Sequence, residues 1–442
     1  RQRLGTGRGL GSSLSFCAAM LRGQFLAAAL ALLGTSLSGC RPHLAPQPTV
    51  SSELLLQDLS RYQDAVCTDG SPAKFYYRPA QTAESSNVWV VYLQGGGWCH
   101  SEVSCMWRCG HPKNPKVGNP MCSSFGLSRH RRVQGIFSPT EDTRLRNANQ
   151  VYVPYCTSDA HMGNVSVFGW HFRGAVVVQS VLSELVNRHG LGNNDKKKDF
   201  MIFGGGSAGS RGAMVHLDYV PDMLGDAAKN VDVVGFLDSP LWVDMDPFKR
   251  SFMGFADMTK EFFLSANVEH LGDSCMEAYN VTDHWKCLFG EYRIPHLQTP
   301  FFLVASQYDS FQLGNAVGRR PQGAEEVAYA EDFANRTATA VRAIRQQWEG
   351  KTVKLHAGSF SSAVFSWACY NHCTSGGRGG FNLWTADGTT MDTALQAFLS
   401  WMSSGADLSW MDNCTGFACG DGCSRDHFQA QPTVAPGMRQ VV

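Results

Sequence analysis

A serine lies between closely spaced glycines in the run Gly205-Gly-Ser207-Ala-Gly209. The pattern G-x-S-x-G is typical of a nucleophile elbow, in which the serine occupies a strained turn and nearby side chains would collide. The apolar residues 200–203 predict a buried strand before this turn, and a helix-like stretch begins at residue 213. Ser207 is therefore the first candidate for a nucleophile.

The same glycine run admits two other interpretations. Residues 204–209 also fit G-x-G-x-x-G, the fingerprint of a dinucleotide site between a strand and a helix. An ordinary structural turn is the second, because short glycine motifs recur by chance. A nicotinamide oxidoreductase is disfavoured by a predicted export signal and by the two predicted strands that precede the motif.

A second glycine run follows the predicted strand 88–94 and comprises residues 95–97. In α/β-hydrolases this position supplies backbone N–H groups to the oxyanion hole, since glycine lets the main chain turn its amides toward substrate. An ordinary tight turn is the alternative. The two glycine runs together favour an acyl-transfer enzyme more than either alone.

A catalytic triad in this fold follows the chain order serine, acid, histidine. Asp238 and Asp309 both come after predicted strands, so either could be the acid. His356 ends a predicted strand and His372 lies in a predicted loop, and the pattern alone does not rank them.

The alternation of strands and helices predicts one mostly parallel sheet with helices on both faces, an α/β-hydrolase-like fold. Residues 242–296, apolar and aromatic without a clear period, are a candidate lid-like insertion. The predicted strands are 88–94, 150–154, 200–203, 231–237, 300–305 and 352–356, and the predicted helices include 172–189, 325–348 and 389–402. The predicted organisation is an upstream segment and signal or anchor (1–40), a linker and entry (41–66), an α/β-hydrolase-like domain (67–405) and a cysteine-containing tail (406–442).

Residues 20–39 have the positive start, apolar centre and small-residue end of a secretory signal. A non-cleaved anchor is the alternative, and residues 37–40 also match a lipoprotein box that would lipidate Cys40. No later segment predicts a membrane span. Lys and Arg number 38, as do Asp and Glu, so the charge balance does not suggest a nucleic-acid partner. The expected location is secreted, extracellular or in a cell wall.

Of the 15 cysteines, Cys17 and Cys40 lie in the N-terminal segment and thirteen follow it. Behind an export signal this number predicts disulfides, and the odd count predicts one unpaired thiol. Zinc binding around Cys105, Cys109 and His111, or at His372, is the alternative. Four sequons in a eukaryotic host would be glycosylation acceptors: Asn164, Asn280, Asn335 and Asn413.

Four ordered motifs resemble the pectin acetylesterase/Notum family of secreted carboxylesterases. They are Leu93-Gln-Gly-Gly-Gly-Trp-Cys99, Gly205-Gly-Ser-Ala-Gly209, Gln307-Tyr-Asp-Ser-Phe-Gln-Leu313 and Asn371-His-Cys373. Residues 149–159 and 172–174 are also similar, so the resemblance spans roughly residues 67–401. Gln94 and Ser210 depart from the family pattern, which usually has glutamate and glycine there, and neither belongs to the triad.

The resemblance implies a role for each matched residue. Ser207 would be the nucleophile, Asp309 the acid and His372 the base, while Asp238 and His356 would be structural. The oxyanion-hole amides would be those of Gly96, Gly97 and Ala208. No metal or organic cofactor is implied.

The resemblance also implies hydrolysis of a carboxylic ester through an acyl-enzyme. We favour removal of acetyl groups from a polysaccharide such as pectin. The alternatives are removal of a fatty acyl group from a secreted protein, acyl transfer to an acceptor other than water, and a catalytically silent binding protein on the same fold.

Overall fold

One ten-stranded sheet forms the centre of the described chain. The computed structural model describes residues 53–115, 119–140, 142–194, 197–377, 379–385, 387–400 and 408–423. The predicted signal, the alternative anchor and Cys40 lie outside these residues. None of the helices within the described ranges combines the length and apolar composition that a bilayer crossing requires.

The secondary structure alternates between strands and helices along most of the chain. The strands are β1 Glu53–Asp58, β2 Lys74–Arg78, β3 Val88–Leu93, β4 Gly110–His111, β5 Asn114–Pro115, β6 His130–Arg132, β7 Asn149–Val153, β8 Val165–Val167, β9 Trp170–Phe172, β10 Asp199–Gly206, β11 Val231–Asp238, β12 Phe301–Val304, β13 Val353–Leu355, β14 Gly358–Phe360, β15 Ala363–Ser366 and β16 Ser409–Met411. The α-helices are α1 Glu102–Cys109, α2 Thr143–Arg146, α3 Gly174–His189, α4 Ala208–His216, α5 Val220–Leu224, α6 Phe255–Ala266, α7 Asp273–Ala278, α8 Gly290–Arg293, α9 Ser310–Val317, α10 Gly323–Gln347 and α11 Met391–Leu399. Short 3-10 helices cover Gly135–Phe137, Leu217–Tyr219, Gly225–Asn230, Val281–Leu288, Ile294–His296, Gly380–Asn382 and Asp421–Cys423.

The central sheet has the strand order β16-β15-β12-β11-β10-β3-β7-β2-β1-β6. Neighbours from β16 to β7 are parallel, and those from β7 to β6 are antiparallel. The prediction of a mostly parallel, α/β-hydrolase-like sheet is confirmed. The carboxyl ends of the parallel strands lie at one edge, where open α/β sheets place their ligand sites.

Both faces of the sheet are covered because its central strands are apolar on both sides. On β10, Met201 and Phe203 belong to one hydrophobic core, which includes residues of α3 and α4. Phe200 and Ile202, which alternate with them, belong to a second core that includes residues of α11. The period of two along a strand thus distributes one apolar run between two layers.

The sheet departs from the prediction at its last strands. The predicted strand 352–356 forms β13, which pairs with β14 in a separate hairpin. The sheet instead takes β15, whose four residues are all buried, whereas β13 is partly exposed. The sheet also extends beyond the range 67–405, because β1 pairs with β2 and β16 pairs with β15.

The predicted insertion, residues 242–296, is largely helical and contains α6, α7 and α8. Its aromatic side chains pack into the core on the α3 and α4 face of the sheet. Phe255, Phe262 and Phe289 are examples that are buried there.

Twelve of the thirteen cysteines form disulfides, which confirms the prediction for the cysteine-rich segments. The pairs are Cys67–Cys156, Cys99–Cys105, Cys109–Cys122, Cys275–Cys287, Cys369–Cys423 and Cys414–Cys419. Cys373 is the free thiol. The zinc interpretation was wrong at Cys105 and Cys109, since both are disulfide-bonded, and the described residues include no cluster able to hold a metal ion.

Candidate active site

Ser207 lies in a sharp turn between the carboxyl end of β10 and the first residue of α4. Its φ is +55° and its ψ is −124°, a conformation that a non-glycine residue adopts only at a cost. The turn is held at both ends, because the Ser207 amide donates to the Asp238 carbonyl at 2.9 Å and its carbonyl accepts from the Arg211 amide at 3.0 Å. This geometry is that of a nucleophile elbow.

The glycines of the elbow are required by close packing against the neighbouring strand. A Cβ placed on Gly209 would lie 2.0 Å from the Leu93 carbonyl oxygen, and one on Gly205 would lie 2.7 Å from the same atom. Gly204 is equally close to Phe236, with 2.1 Å to its carbonyl oxygen. Because these glycines face protein atoms on adjacent strands, their spacing is explained without a pyrophosphate, and the dinucleotide interpretation loses its support.

His372 connects Ser207 to Asp309. Its Nε2 lies 2.8 Å from the Ser207 Oγ, and its Nδ1 lies 2.7 Å from the Asp309 Oδ2. Ser207 follows β10, Asp309 follows β12 and His372 follows β15. The sheet therefore brings the three side chains together at the carboxyl ends of its parallel strands, where hydrogen bonds link serine to histidine and histidine to aspartate.

The carboxylate of Asp309 makes a different contact with each oxygen. Its Oδ1 caps α9 by accepting from the amides of Phe311 and Gln312 at 3.0 and 2.9 Å. Only Oδ2 contacts His372. The helix cap therefore fixes the carboxylate in the orientation that the imidazole needs.

The surroundings of His372 favour its protonated form. Burial lowers the pKa of this imidazole, but the charge of Asp309 and the hydrogen bond to it raise the pKa by more, so the net pKa lies above the ordinary value. The ring of Phe311 stacks on the imidazole, with 5.2 Å between centroids. His372 is thus held on one edge by the carboxylate and on one face by an aromatic ring.

Asp238, the other candidate acid, contacts the loop that carries His372 rather than the imidazole. Its Oδ2 accepts from the Ser375 amide at 2.7 Å, and its Oδ1 accepts from the Ser239 hydroxyl at 2.9 Å. The Ser239 Oγ in turn accepts from the Cys373 amide at 3.0 Å. Burial raises the pKa of the Asp238 carboxyl. Asp238 therefore anchors the residues that follow His372.

His356, the other candidate base, lies at the opposite end of the sheet. Its Nδ1 is 2.9 Å from an oxygen of Asp232, the second residue of β11. Since Ser207 packs beside Asp238, the last residue of the same strand, roughly 20 Å of extended chain separates the two ends. His356 is also well exposed, and the structure does not bring it to Ser207.

The second glycine run packs directly against the elbow. A Cβ on Gly95 would lie 2.3 Å from the Gly206 carbonyl oxygen and 2.9 Å from the Ser207 Cβ. Gly96 and Gly97 both have positive φ, +152° and +68°. Among the described residues, the backbone amides of Gly96, Gly97 and Ala208 have no hydrogen-bond acceptor. Ala208 follows the serine directly and Gly96 and Gly97 follow the glycine that packs on it, so the three amides remain candidates for the oxyanion hole.

Asp159, to which the sequence pattern gave no role, is fully buried. Its carboxylate accepts from the amides of Gly174 at 2.7 Å and His161 at 3.0 Å, and from the Thr157 hydroxyl at 2.6 Å. Burial raises the pKa of this carboxyl to about 7.

The loop that Asp159 organises has positive φ at Ser158, Ala160 and His161. His161 Nε2 contacts the Gln94 carbonyl oxygen at 2.9 Å. Asp159 therefore supports the residue that precedes the glycine run. The signal available in the sequence was an Asp-x-His pattern five residues after the end of the predicted strand 150–154.

Comparison with known proteins connects the whole described region to one family. The Pectinacetylesterase family model matches residues 47–424. Pectin acetylesterase 5 of Arabidopsis thaliana is 26% identical over 363 residues, which cover 76% of this chain and 77% of the relative. Palmitoleoyl-protein carboxylesterase notum2 of Xenopus laevis is 31% identical over 259 residues, or 56% of this chain and 50% of the relative. The chain spans about half the length of this relative and of the Xenopus notum1 protein, 50% and 51% respectively.

Solved structures show the same fold. The Wnt deacylase Notum from Drosophila aligns with a TM-score of 0.70 and 24% identity, over 84% of this chain and all of that one. A second crystal form of the same protein gives a TM-score of 0.68. The family model spans most of the chain and includes all the motifs of the elbow, the glycine run and the His372 loop. The chain therefore belongs to the pectinacetylesterase family.

Proposed function

We propose that this protein is a serine carboxylesterase that hydrolyses esters through an acyl-enzyme. The observation that carries the proposal is the continuous set of hydrogen bonds from Ser207 through His372 to Asp309, at 2.8 and 2.7 Å. A serine activated by a histidine that an acid orients is the arrangement that nucleophilic catalysis requires.

In the first step, the Ser207 Oγ attacks the ester carbonyl carbon while His372 Nε2 takes the hydroxyl proton. The carbonyl oxygen becomes an oxyanion, which accepts hydrogen bonds from the amides of Gly96, Gly97 and Ala208. Donors of this kind contribute about 3 kcal/mol each. His372 then gives its proton to the departing alcohol, and the acyl group stays on Ser207.

In the second step, water replaces the alcohol. His372 Nε2 takes a proton from the water as its oxygen attacks the acyl carbon. Collapse of the second oxyanion breaks the bond to the Ser207 Oγ, which recovers the proton from His372. The products are a free carboxylic acid and the original enzyme, so this chemistry uses only groups of the chain itself.

We favour an acetylated polysaccharide such as pectin as the substrate and a secreted location. Family membership and the relative named pectin acetylesterase 5, which aligns with 76% of the chain, support this substrate. The six disulfides support export, since such bonds persist in oxidising compartments.

A second candidate is the removal of a fatty acyl group from a protein. It is supported by the relatives named palmitoleoyl-protein carboxylesterases, one of which is 31% identical over 259 residues. Both candidates use the same triad and differ in the acyl group that the site must accept.

Hydrolysis of p-nitrophenyl acetate by the purified chain, beside Ser207→Ala, tests the proposal. We expect turnover by the wild type and a loss of about 10⁶-fold in kcat for the variant, the size seen when a triad serine is removed. Equal rates for the two proteins, with Ser207→Ala folded, would refute the serine mechanism. Release of acetate from acetylated pectin then tests the favoured substrate.

A further inference from the structure

Arg211 is a buried cation one helical turn after the nucleophile. It lies on α4, its amide donates to the Ser207 carbonyl at 3.0 Å, and its side chain is almost fully buried, with 1% exposed. Its Nη2 donates to the Leu288 carbonyl at 3.2 Å, while its Nε has no partner among the described residues. No carboxylate of the described chain pairs with it, and burial lowers its pKa to about 9. Such a charge is costly to bury, so its position calls for an explanation.

Two tryptophan rings hold the guanidinium. The Cζ of Arg211 lies 4.2 Å from the ring centroid of Trp98 and 3.6 Å from that of Trp242. These cation–π contacts offset part of the cost of burial. Trp98 directly follows Gly97, and Trp242 begins the insertion, so the guanidinium joins the predicted oxyanion loop to the insertion.

An aromatic contact connects this group to the catalytic histidine. Phe311 stacks on His372 at 5.2 Å and on Trp242 at 6.5 Å between centroids. Phe311 therefore links the base to the first residue of the insertion. Trp98 directly follows the glycine run and Trp242 is linked to His372 through Phe311, so both rings adjoin residues that would surround an acyl group on Ser207.

Both tryptophan rings are packed against side chains of the insertion. Phe262 packs on Trp98, and Phe255 packs on Trp242, each with 4.6 Å between ring centroids. Trp98, Trp242, Phe255 and Phe262 are each at most 7% exposed. An apolar channel for a long chain would leave such rings accessible, whereas methylenes forced into a filled core cost free energy. A longer acyl chain that displaced the guanidinium would also separate this buried charge from the two tryptophan rings that stabilise it.

We propose that Arg211, clamped by Trp98 and Trp242, closes the acyl side of the site and restricts the enzyme to acetyl and similarly short acyl groups. This inference rests on the proposed esterase function. It favours acetyl esters over fatty acyl esters as the substrate class. Arg211 acts here as a specificity-determining residue.

The test measures kcat/KM for p-nitrophenyl acetate, butyrate and octanoate with the wild type, Arg211→Ala and Arg211→Met. Each methylene that does not fit should cost the wild type at least about tenfold. Arg211→Ala opens the space and should raise the octanoate-to-acetate ratio at least about tenfold. Arg211→Met fills nearly the same volume without charge and should retain the wild-type ratio. Arg336→Ala, at an exposed arginine on α10, serves as the surface control.

The possible failures are distinguishable. Wild-type activity on octanoate equal to that on acetate, and abolished in Ser207→Ala, overturns the length restriction while the esterase function stands. An unchanged ratio in folded Arg211→Ala, checked by thermal unfolding, also overturns it. If that variant does not fold, Arg211→Val, which is apolar and much shorter than arginine or methionine, carries the same test. Absence of Ser207-dependent hydrolysis of every ester overturns the proposed function itself.

Discussion

Replacing Asp309 with asparagine separates the two contacts of this carboxylate. The Oδ1 atom caps α9, and the Oδ2 atom contacts His372 Nδ1 at 2.7 Å. In Asp309→Asn, the side-chain oxygen can still accept from the helix amides, which turns the NH₂ group toward the imidazole. The amide then donates where the carboxylate accepted, so Nδ1 must become the acceptor and Nε2 must carry the proton.

The expected loss of rate follows from this tautomer. With Nε2 protonated, His372 cannot take the proton of Ser207, and the variant also lacks the charge that stabilises the imidazolium. The equivalent change in a serine triad lowers kcat by about 10⁴-fold. This factor corresponds to about 5 kcal/mol of transition-state stabilisation.

The expected loss of stability is small for asparagine and larger for alanine. Asparagine and aspartate are similar helix caps, so Asp309→Asn should stay within about 1 kcal/mol of the wild type. Asp309→Ala removes the cap and should cost about 1 kcal/mol more in free energy of unfolding than Asp309→Asn. Both variants should lose activity to a similar extent.

Steady-state kinetics on p-nitrophenyl acetate and denaturant unfolding of each variant provide the two measurements. Asp238→Asn is the matched control, because Asp238 contacts Ser375 and Ser239 rather than the imidazole, and a much smaller loss is expected. An Asp309→Asn enzyme that retains a tenth or more of the wild-type kcat would refute the assignment. So would an Asp238→Asn enzyme with the larger loss.

Three further predictions concern pH, the elbow and a disulfide. The kcat/KM should fall at acidic pH with a midpoint above the ordinary histidine pKa of about 6.5, because the pKa of His372 is raised and only the neutral imidazole accepts a proton; a pH–rate profile checks this. The same raised pKa affects folding stability in the opposite direction from activity. Its stabilising contribution is present below pH of about 6.5 and is lost as pH rises through the folded pKa. A wild type that loses stability on acidification through this range, when His372→Gln does not, would contradict this prediction. Gly209→Ala should lower kcat at least about 100-fold by moving the elbow. Gly314→Ala, whose Cβ would lie 3.4 Å from the Tyr370 hydroxyl oxygen rather than 2.0 Å from a backbone oxygen as at Gly209, should keep nearly full activity. Equal rates for the two variants would argue against the packing. Replacing Cys67 and Cys156 by serine opens a loop of 89 residues and should lower the free energy of unfolding by about 4 kcal/mol, measured by denaturant unfolding; an unchanged midpoint would contradict it.

The elbow was predictable from sequence because its constraints are local. Gly205 and Gly209 are fixed by contacts within a few residues of Ser207 and with one neighbouring strand. The parallel sheet was predictable for a similar reason, since the strands that form it are continuous apolar runs such as β10. Long helices such as α3 and α10 were predicted nearly within their observed bounds.

The partners of Ser207 were harder to predict because several residues occupied equivalent places in the pattern. Asp238 and Asp309 both follow strands, and only the resemblance to a family ranked Asp309 and His372 first. The local pattern predicted that β13 belongs to the central sheet, but β13 pairs with β14 in a separate hairpin. His356, which directly follows β13, therefore lies far from Ser207.

Other site residues depend on contacts between segments that are distant in sequence. Arg211 owes its position to Trp98 and Trp242, which lie on different loops. Asp159 is buried by the turn that it organises. Neither environment is visible before the chain is folded.

The disulfide between Cys99 and Cys105 lies immediately after Gly97 and Trp98. The loop that directly follows two of the proposed oxyanion donors is thus closed by a covalent bond that persists only under oxidising conditions. A newly synthesised chain with reduced thiols lacks this closure. A chain exported as proposed would acquire this closure only on reaching an oxidising compartment, so the proposed esterase site would be completed after synthesis rather than during it.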